Sequence, residues 1–132
     1  MRAVLDAGVV LGILDGELAH LEGEIASGRL IPYVSAVNLA EVEYVLCRRM
    51  GLEAARRVVE LIAKSRVFKV VDRPELHRAA AECKCRNAVA IGDCYAIALA
   101  RLLGVKAFFR REKELEKAVK RDKALEDVVV FV

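Results

Sequence analysis

Residues 1–14 read MRAVLDAGVVLGIL: a short apolar run, Arg2 to Leu5, stops at Asp6, and the apolar stretch Val9 to Leu14 follows as a turn of helix. A buried strand that feeds straight into a helix is the repeating unit of parallel α/β sheets. The rest of the chain keeps to that rhythm. Asp15-Gly16 marks a turn, Glu17 to Ser27 is helical, and Gly28 ends that helix before a second strand, Leu30 to Val34. Ser35 caps a helix from Ala36 to Met50, which stops at Gly51, and Leu52 to Lys64 forms its hairpin partner. Val67 to Val71 is short and β-branched, a third strand, and Pro74 opens a helix to about Lys84. Arg86 to Ile91 reads as a loop. Gly92-Asp93 begins an Ala- and Leu-rich helix that Gly104 terminates after Leu103. Lys106 to Phe109 is a strand, Lys113 to Lys120 a charged helix, and Val128 to Val132 a terminal strand. Strands alternating with helices predict one α/β domain over residues 1–132, a central parallel sheet of about five strands with helices on both faces.

The composition is that of a packed globule. Hydrophobic residues make up 56% and charged residues 31% of 132 residues, which excludes disorder and leaves room for one core. No apolar run is of membrane-spanning length and no signal peptide is recognisable, so a cytoplasmic location is expected. With 22 basic and 19 acidic residues the net charge is +3, too mild to identify a polyanion binder from bulk electrostatics. Gln and Thr are absent and Asn occurs only at 38 and 87, beside abundant Lys, Arg and Glu, a pattern of thermophile proteins. In that setting a disulfide among Cys47, Cys83, Cys85 and Cys94 is conceivable. Cys83 and Cys85 point roughly 200° apart on a helix, which argues against a shared zinc site with His77.

Four acids stand where the chain passes from strand to helix: Asp6, Glu41, Asp93 and Glu112. Ligands of open parallel sheets bind beyond the carboxyl ends of the strands. Each acid also has an ordinary reading. Asp6 is a good helix N-cap. Glu41 shares a helical stripe with Val37 and Val45, where a carboxylate needs a partner, and Arg48 at i+7 is one candidate. Asp93 is aligned with Ala96 and Ile97 at the start of an apolar helix, and Glu112 lies in the mixed run RREKELEKAVKRDK. Taken together, converging carboxylates repel one another unless a divalent cation keeps them ionised. Mg²⁺ or Mn²⁺ suits an all-oxygen site and serves hydrolysis of a phosphodiester. Arg48, Lys84, Arg86, Arg110 and Arg111 are the candidates for holding substrate phosphates. Of seven aromatics, Tyr33, Tyr44, Tyr95, Phe68, Phe108 and Phe109 are expected mostly in the core, so base stacking is minor.

The segments AVLDAGVVLGIL, YVSAVNLAEVEYVL and AIGDCYAIALARLLGVKAFFRREKEL resemble PIN-domain nucleases, in particular VapC-like toxins of toxin–antitoxin operons, over nearly the whole chain. The resemblance places the family's acids at Asp6, Glu41, Asp93 and Glu112. It implies a helix-flanked parallel sheet, Mg²⁺- or Mn²⁺-dependent cleavage of RNA, a homodimer and inhibition by a small antitoxin. Two departures stand out. The family's hydroxyl residues after the first acid and before the last are replaced here by Ala7, Gly8 and Arg110, and the last acid is Glu112 rather than Asp. The competing reading is a catalytically weak or inactive PIN-like module that binds RNA or a protein partner. Phosphoryl transfer from an aspartate, as in haloacid-dehalogenase-like phosphatases or receiver domains, needs a second acid or an Asp and Lys constellation that DAGVV lacks.

Overall fold

A computed structural model describes residues 1–132. Strand β1 (Arg2–Leu5) is followed by α1 (Ala7–Leu14) and α2 (Ala19–Ala26), then β2 (Ile31–Ser35) and the hairpin α3 (Ala36–Met50) and α4 (Leu52–Lys64). After β3 (Lys69–Val71) come α5 (Glu75–Arg86), α6 (Ile91–Leu103), β4 (Lys106–Phe109), α7 (Lys113–Arg121), α8 (Lys123–Glu126) and β5 (Val129–Phe131). All pairings are parallel and the strand order is β3-β2-β1-β4-β5.

The two-residue period of the strands divides the core. In β1, Ala3 and Leu5 join the apolar cluster under α1, α3 and α4, while Val4 joins the opposite cluster under α5, α6 and α7. In β4, Phe108 goes to the first cluster, and Ala107 and Phe109 to the second. A strand buried on both faces must be apolar at every position, which is why RAVL and KAFF carry no internal alternation of polarity. Helix α6 supplies the centre of the second cluster, with Ala96, Ile97, Leu99 and Ala100 all fully buried. It ends at Gly104, whose left-handed backbone (φ 68°) closes the last turn.

The expected fold class and element order are observed, with local corrections. Strand β3 spans Lys69–Val71 rather than starting at Val67, because Arg66 turns the chain through a positive φ of 61°. Helix α1 already starts at Ala7, α2 only at Ala19, and α6 at Ile91, so the expected loop shrinks to residues 87–90. The short α8 was not expected; the Asp122 carboxylate caps it by accepting from the Ala124 amide. Tyr44 is not a core residue but 55% exposed, and Arg48 lies over its ring, 5.7 Å from the centroid, rather than pairing with Glu41. All four cysteines are free thiols; Cys83 and Cys94 are buried and Cys85 is exposed. No helix is long and apolar enough to cross a membrane.

Candidate active site

The strand order reverses between β1 and β4, since the chain leaves β1 toward β2 on one side and later returns to β4 on the other. In open parallel sheets such a switch point, beyond the carboxyl ends of the strands, is where ligands bind. Asp6 follows β1 directly, and its backbone N–H donates to Phe108 of β4 at 3.1 Å. Its carboxylate Oδ2 accepts from the Gly8 amide at 3.3 Å, so Asp6 caps α1. Glu41 comes from the second turn of α3. Asp93, 8% exposed, sits in the first turn of α6, which packs against β1, β2 and β4. Glu112 is the exposed N-cap of α7 and makes no capping bond.

The acids sense one another. Burial pushes the Asp93 carboxyl up to about 7, and the negative charges of Asp6, Glu112 and Glu41 push in the same direction. Burial, followed by the charges of Glu41 and Glu112, raises Asp6 to about 6 against the opposing amide of Gly8. Glu41 is raised by burial, and the Asn38 side chain works against that shift. None of the four takes part in an ion pair. Clustered, uncompensated carboxylates form a hard, all-oxygen donor set, which matches a divalent cation in charge and chemistry. As they stand, however, no three acid, His or Cys side chains are close enough to grip one ion. The match lies in donor type and field, and ligation requires the side chains to draw together.

A consequence can be measured on metal-free protein. A carboxyl whose folded value is raised stabilises the fold fully below its unfolded value near 4, and that stability is lost as pH rises through the folded value. For Asp6 and Asp93 the losses run through about 6 and about 7. Counting their shared repulsion once, urea unfolding in EDTA should show stability falling by roughly 4 kcal/mol between pH 5 and 8. A flat or rising profile contradicts it.

The cationic candidates are dispersed. Arg110 follows β4, and its stem runs along α1: a Cβ added to Gly8 would lie 3.6 Å from its Cγ, and one added to Gly12 would lie 2.5 Å from its guanidinium. The guanidinium ends on Glu17 at 3.1 Å. Arg111 pairs with Glu116 at 2.7 Å and covers Phe131. Lys84 donates to the Val89 carbonyl at 2.6 Å and so braces the turn before α6. Arg86 lines a cavity of about 600 Å³ between α5, α6 and α8, which none of the four acids lines. Arg48 is engaged with Tyr44. Of the five, Arg110 alone lies alongside Asp6, in the region left open by Gly8 and Gly12.

Two participants escaped the sequence reading. Asn38, fully buried, donates from Nδ2 to Glu41 Oε1 at 2.7 Å and to the Gly92 carbonyl at 3.0 Å. Gly92 leaves the space that the Glu41 carboxylate occupies: a Cβ there would stand 2.2 Å from Oε1. The available signal was Asn38 itself, three residues before Glu41 on the same helical face, in a chain with two Asn and no Gln.

The family model for the PIN domain matches residues 3–127. No sequence among curated proteins matches. Among solved structures, the chain is similar to VapBC2 from Rickettsia felis bound to a DNA fragment from their promoter, with TM-score 0.70 and 16% identity over 100% of this chain and 99% of that one. It is similar to a toxin-antitoxin complex from Klebsiella pneumoniae, with TM-score 0.59 and 13% identity over 86% and 89%. A third similar structure is FitAcB from Neisseria gonorrhoeae, with TM-score 0.61 and 19% identity over 98% and 96%. At such identities the likeness is one of fold.

Proposed function

Because the chain belongs to the PIN domain family, with 3–127 of its 132 residues matched, we propose that it is a divalent-metal-dependent endoribonuclease and the toxin of a toxin–antitoxin pair. One observation carries this reading: Asp6, Glu41 and Asp93, from three separate elements, converge electrostatically at the switch point of the sheet without a cationic partner. Those three residues would hold Mg²⁺ or Mn²⁺ once their side chains draw together, with Glu112 at the exposed rim. A cation bound there would supply Lewis-acid polarisation of the scissile phosphate and acidify an attacking water.

The chain's own residues orient the rest. Glu41 is aimed at α6 by its bond to Asn38, and Asp6 is held against the first turn of α1 by the Gly8 amide. The Arg110 guanidinium is placed to exchange Glu17 for a substrate phosphate, since its ion pair is 40% and 54% exposed and therefore weak. A protein partner is supported by the α3–α4 hairpin, which leaves Tyr44, Met50, Leu52 and Leu61 exposed. We read that partner as a small antitoxin, alongside a homodimer, and the setting as the cytoplasm.

The second reading, an inactive module that binds RNA or a protein, draws on the spread of the acid side chains and on Arg110 standing where the family carries a hydroxyl residue. Incubation of purified protein with labelled single-stranded and structured RNAs separates the two. Cutting with Mg²⁺ or Mn²⁺ that ceases in EDTA is expected. Folded protein that binds the cation and leaves every RNA intact transfers the case to the module.

A further inference from the structure

The α3–α6 contact contains a polar chain that runs from the end of β2 to the acid cluster. The Ser35 hydroxyl accepts from the Asn38 backbone N–H at 3.0 Å and donates its hydrogen to Asn38 Oδ1 at 2.6 Å. The Gly92 carbonyl, which can only accept, settles which way the amide faces: its oxygen points to Ser35 and its two hydrogens the other way. They find two acceptors, Glu41 Oε1 at 2.7 Å and the Gly92 carbonyl at 3.0 Å, 54 residues along the chain. Every hydrogen of this buried amide is used, and no buried side-chain polar atom lacks a partner. Glu41 needs such guidance, because a glutamate has three rotatable bonds and its approach to α6 passes through space that only the missing Cβ of Gly92 leaves open.

We propose that Asn38 is a positioning residue, which ties Glu41 to the first turn of α6 and presets it for the cation that Asp6 and Asp93 share. The proposal rests on the nuclease reading and deepens it. Groups hydrogen-bonded behind metal ligands set ligand orientation, and their loss costs about ten- to a hundredfold in metal affinity. A simpler role, closing a buried gap between α3 and α6, predicts lost stability with no special link to Glu41.

The test is Mn²⁺ binding, followed by electron paramagnetic resonance of free Mn²⁺, in Asn38→Val and its near-isostere Asn38→Thr, each alone and combined with Glu41→Gln. Asn38→Val is expected to weaken Mn²⁺ binding about tenfold or more, and Asn38→Thr, which keeps one hydroxyl donor, by less. In the Glu41→Gln background the same change should cost under about twofold, because the residue through which Asn38 acts is already disabled. An equal loss in both backgrounds, or none in either, overturns the positioning role while leaving the nuclease reading intact. Native protein that binds no Mn²⁺ overturns both. Should neither variant fold, side-chain amide NMR of the native protein serves, since Asn38 and Asn87 are the only carboxamides. The Asn38 pair should move on addition of Mg²⁺. If it stays fixed while the Asp93 backbone amide moves, the proposal fails.

Discussion

Asp93→Asn is expected to abolish metal-dependent RNA cleavage and, at the same time, to stabilise the metal-free protein at pH 8. The two effects share one cause. Asp93 is 8% exposed, and burial together with the charges of Asp6, Glu112 and Glu41 holds its carboxyl near 7. At pH 8 it is ionised against that cost, and every unit of raised pKa corresponds to about 1.4 kcal/mol of strain in the charged form. Asparagine keeps the shape and removes the charge, so unfolding of the variant in EDTA should be harder by up to about 4 kcal/mol, less the cost of burying the new amide, and Tm should rise by several degrees. Cleavage should fall about a thousandfold or more, since the loss of a ligating charge removes several kcal/mol of transition-state stabilisation. A drop in both activity and stability points to a structural aspartate. Cleavage that survives in the variant removes Asp93 from the site.

What could be read from the chain, and what could not, follows the range of the interactions involved. Strand β1 and helix α6 are legible because a short apolar run stops at Asp6 and an apolar helix is bracketed by Gly92-Asp93 and Gly104, local signals that need no tertiary knowledge. Strand β3 begins two residues later than its β-branched run suggests: it is an edge strand, with Val70 37% exposed, so hydrophobicity does not mark where pairing begins. Tyr44 is the exception among aromatics assigned mostly to the core: it lies on the outer face of α3 beneath Arg48. The four acids were visible as strand-to-helix punctuation, whereas their mutual distances were not. The roles of Asn38 and Gly92 were hidden for the same reason. The bond between them spans 54 residues, and an unremarkable glycine in a helix becomes necessary only once Glu41 is placed against it. The Arg48 partner considered for Glu41 lost to Asn38, which lies one turn back on α3 and is buried, while Arg48 reaches the exposed face.

Gly92→Ala is expected to leave the fold untouched and cripple cleavage. Gly92 is not among the glycines with positive φ, so its backbone suits any residue, and alanine favours a helix over glycine by about 1 kcal/mol. That gain is set against the buried Asn38 hydrogen bond lost when Glu41 moves, so the net prediction is a Tm close to the native one. The site suffers instead. The new methyl would lie 2.2 Å from Glu41 Oε1 and 2.6 Å from both Cδ and Oε2, distances no packed carbon tolerates. The obstructing atoms are the far end of a flexible side chain, so the strain is relieved by swinging Glu41 away rather than by moving α6. That swing breaks the 2.7 Å bond from Asn38 and withdraws one of the three converging acids. A misplaced ligand of this kind should lower the cleavage rate about a hundredfold. Gly23→Ala is the matched control, a helical glycine with nothing within 4 Å of the added methyl, and its rate should not change. Equal activity of the two variants means that the observed placement of Glu41 against α6 does not matter to the reaction, and Glu41 then leaves the list of cation ligands.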